Sequence, residues 1–356
     1  MPDPRTTEAA PPTAAAPAEP TIPPPPPPPP AWRRVLAIVM RVVESRFFKL
    51  GFVLAMIVLG IYTVIGQWSD FKSGVDRLGL MATFEALLCV LAGLVLNLEV
   101  WRALMSAAGS KVSTRAAYRI FFIGQLGKYM PGSVWPVLTQ MELGRAYKIP
   151  RQRSATVAML AMMVGLTSAL LATVVGLPFM AGGKAEQYWW IFLFIPVMLV
   201  CLHPKVLNPV IERGLRMIRK PAPEIPLTGR TIALAVAINL CSWFFYGLQI
   251  WVLTARLGTH GGDTLLAAIG AYSLAWCVGF LIIFVPAGAG FREAILVATL
   301  APLVGLGNPP VIAIALISRG VTILGDLIGA GVAGLLGRGE PIAGPDPAAG
   351  AEAPAR

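Results

Sequence analysis

The chain has 356 residues, of which 56% are apolar and only 13% charged, and it carries a formal net charge of +11. A soluble domain carries about a quarter charged residues, so this composition excludes an ordinary water-soluble fold. The positive charge comes without a nucleic-acid-binding motif and clusters beside apolar runs, so nucleic acid is not an expected partner.

Uncharged runs such as 155–180 and 231–253 exceed the roughly 20 residues that carry a helix across a bilayer. Strand-like alternation is absent, and backbone groups in lipid must pair within their own segment. The expected fold class is therefore all-α: a polytopic transmembrane helical bundle with about 7–8 spans and one or two re-entrant broken segments. Four cysteines, Cys89, Cys201, Cys241 and Cys277, lie in or at the end of apolar runs without a C-x-x-C pair, and only two histidines occur. The cysteines read as small core residues, and no metal or cofactor is expected.

In chain order, residues 1–31 form a proline-rich tail ending in the run Pro23 to Pro30, which favours extended polyproline II and has nothing with which to build a core. It reads as a flexible cytoplasmic spacer, with a proline-binding partner as the alternative. Residues 32–49 read as a basic amphipathic segment lying in the membrane interface, with an extension of the first span as the equal alternative. A transmembrane domain over 50–338 follows, and then a short tail, 339–356. Spans are expected at 50–66, 80–98, 155–180, 188–202, 231–254, 265–285 and 311–336, with a short apolar segment at 294–305. A helix after the Asn208-Pro209 pair, with Asn208 as its cap, would lay a basic face on anionic headgroups.

Basic clusters before the first span, after the second, before 155 and throughout 205–230 place the N-terminus in the cytoplasm by the positive-inside rule. The stretch 117–139 breaks that pattern. It is basic at both ends, and Lys128, Pro131, Gly132 and Pro136 interrupt it. Such a segment enters and leaves on one side, which is tolerated only where protein or a water-filled cavity surrounds it.

Ionisable groups inside spans mark pathways or sites, and they concentrate late. The run FVPAGAGFREA supplies Pro286, Gly288, Gly290, Arg292 and Glu293. The last span carries Arg319 and Asp326 on one helical face, where each needs a partner such as Glu293 or Arg292; a plain packing salt bridge is the competing reading. Glu142 and Arg145 read as a helix-surface pair, or as a gate beside Lys128 that attracts phosphate. Glu99 and Arg102 read as an interfacial pair, and Glu85 as reaching the headgroups. Gly325-x-x-x-Gly329 favours close helix packing. P-loop, H-E-x-x-H and G-x-S-x-G motifs are absent, so no enzyme activity is expected.

The runs GQLGKYMPGSVWP, MELGRA and PAGAGFREA, with Arg319 and Asp326 downstream, resemble the transmembrane (flippase-like) region of lysylphosphatidylglycerol synthases over roughly 45–336. The resemblance implies re-entrant helices and the movement of aminoacylated phosphatidylglycerol between leaflets. It groups Lys128, Pro131, Gly132, Glu142 and Arg145 in one motif, and Arg292, Glu293 and Arg319 in the other. The soluble aminoacyl-transfer domain has no room in 356 residues, so lysyl transfer is not expected of this chain. The leading expectation is a lipid translocator not driven by ATP, in the plasma (inner) membrane, whose partners are anionic or aminoacylated phospholipids. A membrane scaffold is the alternative, and an embedded lipid- or glycosyl-transferase is the third reading.

Overall fold

The computed structural model describes residues 76–130, 134–180, 196–197, 200, 202–217, 228–282, 285–304 and 308–336. The two tails, the interfacial segment 32–49, the expected span at 50–66 and most of that at 188–202 lie outside the described residues, as do Pro131, Gly132 and Cys201.

The described chain is helical, and no strand occurs among the described residues. The helices are α1 (Leu80–Ala107), α2 (Thr114–Gln125), α3 (Trp135–Arg145), α4 (Arg151–Met180), α5 (Pro204–Met217), α6 (Gly229–Ala255), α7 (Gly262–Leu281), α8 (Phe291–Val304) and α9 (Asn308–Leu336). Short 3₁₀ turns at Leu126–Tyr129 and Pro286–Gly288 precede α3 and α8. Five helices, α1, α4, α6, α7 and most of α9, are long and apolar enough to cross a membrane. Each covers most or all of an expected span, but α7 stops at Leu281, short of the expected end at 285, and α1 continues past the expected end at 98 to Ala107. The extra turns hold the Glu99–Arg102 pair, at 2.7 Å, so those charges belong to the helix itself. The basic segment also departs from expectation. Helix α5 starts at Pro204 and runs through Pro209, so Asn208 is not its cap; Pro204 takes the first-turn position where a missing N–H costs nothing.

Helices α2 and α3 have 12 and 11 residues, or about 18 and 16 Å at 1.5 Å per residue. The hydrocarbon core is about 30 Å thick, so neither crosses it alone. Ser113 caps α2 by accepting from the Ala116 N–H at 3.3 Å. The two short helices lean on each other, and α2 also rests on α9 while α3 rests on α4. Around them, α1 pairs with α6, α4 with α7, and α7 with α8.

Small residues set the closest approaches. A methyl group on Gly176 of α4 would lie 2.5 Å from the Gly270 Cα of α7, so these two backbones touch. In α9, Gly325 faces Val90 and Leu94 of α1, and Gly329 faces the ring of Phe122 in α2. Without a hydrophobic drive between helices in lipid, this contact packing holds a bundle together. Of the cysteines, Cys277 is buried in the core while Cys241 is exposed. That exposure corrects the expectation of a core residue, since an apolar residue on a span is equally at home against lipid.

Candidate functional site

The Pro-x-Gly-x-Gly run forms the turn into α8. Ala287 (φ 48°), Gly288 (φ 66°) and Gly290 (φ 83°) lie in the left-handed region, which reverses the chain in a few residues. Glycine reaches that region freely, whereas alanine is strained there. The neighbourhood holds the strained residue, because Arg319 of α9 donates to the Ala287 carbonyl at 3.2 Å. The turn is also pressed on α7: a methyl on Gly288 would lie 2.5 Å from the Gly279 Cα. Glu293 caps α8 by accepting from the Gly290 N–H at 2.6 Å, and its other oxygen takes Arg319 at 3.0 Å. Arg319 is 6% exposed, so the pair is a buried tie between α9 and the turn.

Seven residues on, Asp326 meets the other broken segment. Its Oδ2 lies 2.7 Å from Lys128 Nζ and accepts from the Tyr129 hydroxyl at 2.5 Å. Asp326 is 1% exposed, and its Oδ1 has no partner among the described residues. Asp326 and Arg319 of α9 thus bind one 3₁₀ turn each, Asp326 through Lys128 and Tyr129 in the first and Arg319 through the Ala287 carbonyl in the second.

Between these turns and the spans lies a cavity of about 200 Å³, bordered by Lys128, Tyr129, Arg292 and Arg319. Its walls continue into the middle of the spans. There Asn97 donates to the Tyr246 hydroxyl at 2.9 Å, and Asn239 donates to Asn97. Ser168 donates to Asn239, and the Trp243 indole reaches Ser168 at 3.0 Å. Trp101 donates to Gln140 at 2.9 Å. Tyr246 stacks on Tyr272, with ring centres 5.6 Å apart, and Trp276 stacks on Phe280 at 5.0 Å. The Arg292 guanidinium lies 4.5 Å over the Tyr272 ring and donates to its hydroxyl. Polar groups at this level of a lipid-embedded bundle are costly unless partnered, and this layer is partnered almost throughout.

A family model of the lysylphosphatidylglycerol synthase TM region matches residues 46–329. The chain belongs to this family. No curated protein matches it.

Within this family member, the two motifs singled out in the sequence meet across the cavity. Lys128 comes from the first, and Gly288, Arg292 and Arg319 from the second, all on the cavity wall. Glu293 and Asp326 sit behind the wall, tying its cations in place. Gly290 lies at the start of α8, and Pro286 opens the preceding turn. Glu142 and Arg145 do not border the cavity: Glu142 pairs with Arg151 at 3.0 Å and with Arg145 at 3.6 Å. Pro131 and Gly132 lie outside the described residues. Glu85 pairs with Arg256, just past the C-terminal end of α6, at 3.3 Å. The sequence reading missed Asn239, Trp243, Tyr246, Tyr272 and Gln125, all on the wall. Amides and aromatics at mid-span were the available signal, muted because each sits in an otherwise apolar run.

Proposed function

We propose that this chain is a lipid translocator that works without nucleotide hydrolysis. It would pass the polar headgroup of an anionic or aminoacylated phospholipid through the bundle while the acyl chains stay in the bilayer. The observation that carries the reading is the cavity. Three cations and a belt of amides and aromatic hydroxyls line a space enclosed by helices built to cross a membrane. A headgroup needs a polar route through an apolar core, and buried cations in membrane proteins mark such routes. The volume of about 200 Å³ is below the roughly 300–1,000 Å³ of pockets for drug-sized ligands, so it suits a headgroup and not a whole lipid.

Two short helices, the first running directly into the 3₁₀ turn at Leu126–Tyr129 that borders the cavity, support a re-entrant segment over 117–139. The basic loops support a plasma (inner) membrane protein with its N-terminus in the cytoplasm. On this reading the chain performs no bond-making chemistry of its own.

The test is lipid movement in proteoliposomes, read with fluorescent phospholipids and a leaflet-selective quencher. Wild type should move labelled lipid. Arg319→Gln, which strips Glu293 and the Ala287 carbonyl of their partner, should lose at least tenfold in rate while remaining folded. Folded wild type that leaves every tested lipid in its original leaflet would overturn the reading.

A further inference from the structure

The charges around the cavity do not balance. Lys128 has Asp326 and Arg319 has Glu293. Arg292 donates to the Tyr272 hydroxyl and lies over its ring. It feels the field of Glu293, the next residue, but that carboxylate is bound to Arg319, and none lies within ion-pair distance of Arg292 among the described residues. Three cations against two carboxylates leave one guanidinium on the wall with a charge unneutralised. A buried, uncompensated cation calls for an anion, and a guanidinium presents a planar fork of donors suited to phosphate.

The same inventory disfavours an amine. Neither carboxylate borders the cavity. Both Glu293 oxygens are taken, by Arg319 and by the Gly290 N–H, and the Asp326 side chain is 0% exposed. Several aromatic faces on the wall already have a partner. Tyr246 stacks on Tyr272, Trp276 on Phe280, and Arg292 covers Tyr272. Among the polar groups on the wall, the Gln125 side chain has no hydrogen-bond partner among the described residues and offers an amide to a hydroxyl.

We infer that the cavity is a binding site for a phosphate carrying an uncharged, hydroxylated substituent, held by Arg292 with Gln125 alongside, and that it selects against headgroups bearing an amine. This rests on the translocator reading only in taking a lipid as the source. A phosphoglycerol headgroup and soluble glycerol phosphate share the chemistry, and binding distinguishes them.

The experiment is equilibrium binding to the purified full chain in phosphatidylcholine nanodiscs, with no transport step. The probes are short-chain phosphatidylglycerol, its lysyl ester and glycerol 1-phosphate. Wild type should bind phosphatidylglycerol at least tenfold more tightly than the lysyl ester. Arg292→Gln should lose at least tenfold for phosphatidylglycerol and leave the lysyl ester unchanged, while Arg292→Lys keeps part of the affinity. Gln125→Leu, farther from the packed turn, should lose a few-fold for phosphatidylglycerol alone. Glycerol phosphate binding as tightly as the lipid would keep the site and assign it to a soluble ligand. Equal or tighter binding of the lysyl ester by wild type would overturn the inference, a comparison that needs no variant. Lipid that binds selectively but is never moved would sink the translocator and leave this site standing. Lipid moved with no headgroup preference would do the reverse.

Discussion

Asp326→Asn offers a quantitative test of how the first broken segment is held. The asparagine keeps the size of the side chain and an oxygen for the Tyr129 hydroxyl, so the change isolates the charge that pairs with Lys128. Removing one partner of a buried ion pair costs about 3–5 kcal/mol, because the other charge is left uncompensated. Lys128 is less severely placed than its partner: its side chain is 30% exposed and borders the cavity. Its ammonium recovers some hydration, which puts the loss at the low end, about 3 kcal/mol. Removing both charges, as in Lys128→Met with Asp326→Asn, leaves no charge uncompensated, keeps an acceptor for the Tyr129 hydroxyl and should return stability to within about 1 kcal/mol of wild type. Reversible unfolding of the purified protein in mixed micelles, followed by circular dichroism, measures both variants. A single variant within about 0.5 kcal/mol of wild type, the range of an ordinary surface change, would refute the reasoning. So would a double variant no better than the single one.

Two other outcomes follow from the packing and the surface. Gly176→Ala should cost about 1–3 kcal/mol as an overpacked contact, since its methyl would meet the Gly270 and Leu266 backbone at 2.5 Å. Gly165→Ala on the same helix meets nothing nearer than 3.7 Å and should leave the melting temperature unchanged or raised; equal losses from both would refute the helix contact. Glu142→Gln should change stability by under about 1 kcal/mol, as for partly exposed ion pairs, and leave headgroup binding intact, because Glu142 is partly exposed and away from the cavity. A tenfold loss of binding in that variant would restore it to the site.

The ionisable residues show how far local pattern reaches. An arginine and an aspartate in the last apolar run announce that partners exist, since each is expensive alone in lipid. Arg319 was expected to find Glu293, and it does. Asp326 was offered the same neighbourhood but takes Lys128 and Tyr129, the latter 197 residues away in sequence. Glu85 pairs with Arg256, 171 positions on, a partner that nothing in the intervening sequence announces.

The sequence by itself determined the solvent, the helical class, the five long apolar helices among the described residues and the two Pro- and Gly-containing breaks between helices. These follow from the composition of a window of about 20 residues and from the backbone's need to pair within its own segment, both local properties. Only the tertiary structure decided that the two interruptions face one cavity, that α9 ties down both, and that Arg292 is the cation left over. The reason is physical. Which charges neutralise each other depends on contacts within a few ångströms between helices far apart in the chain, and helix approach is set by small residues such as Gly176 and Gly270, whose meaning appears only when the facing surface is known.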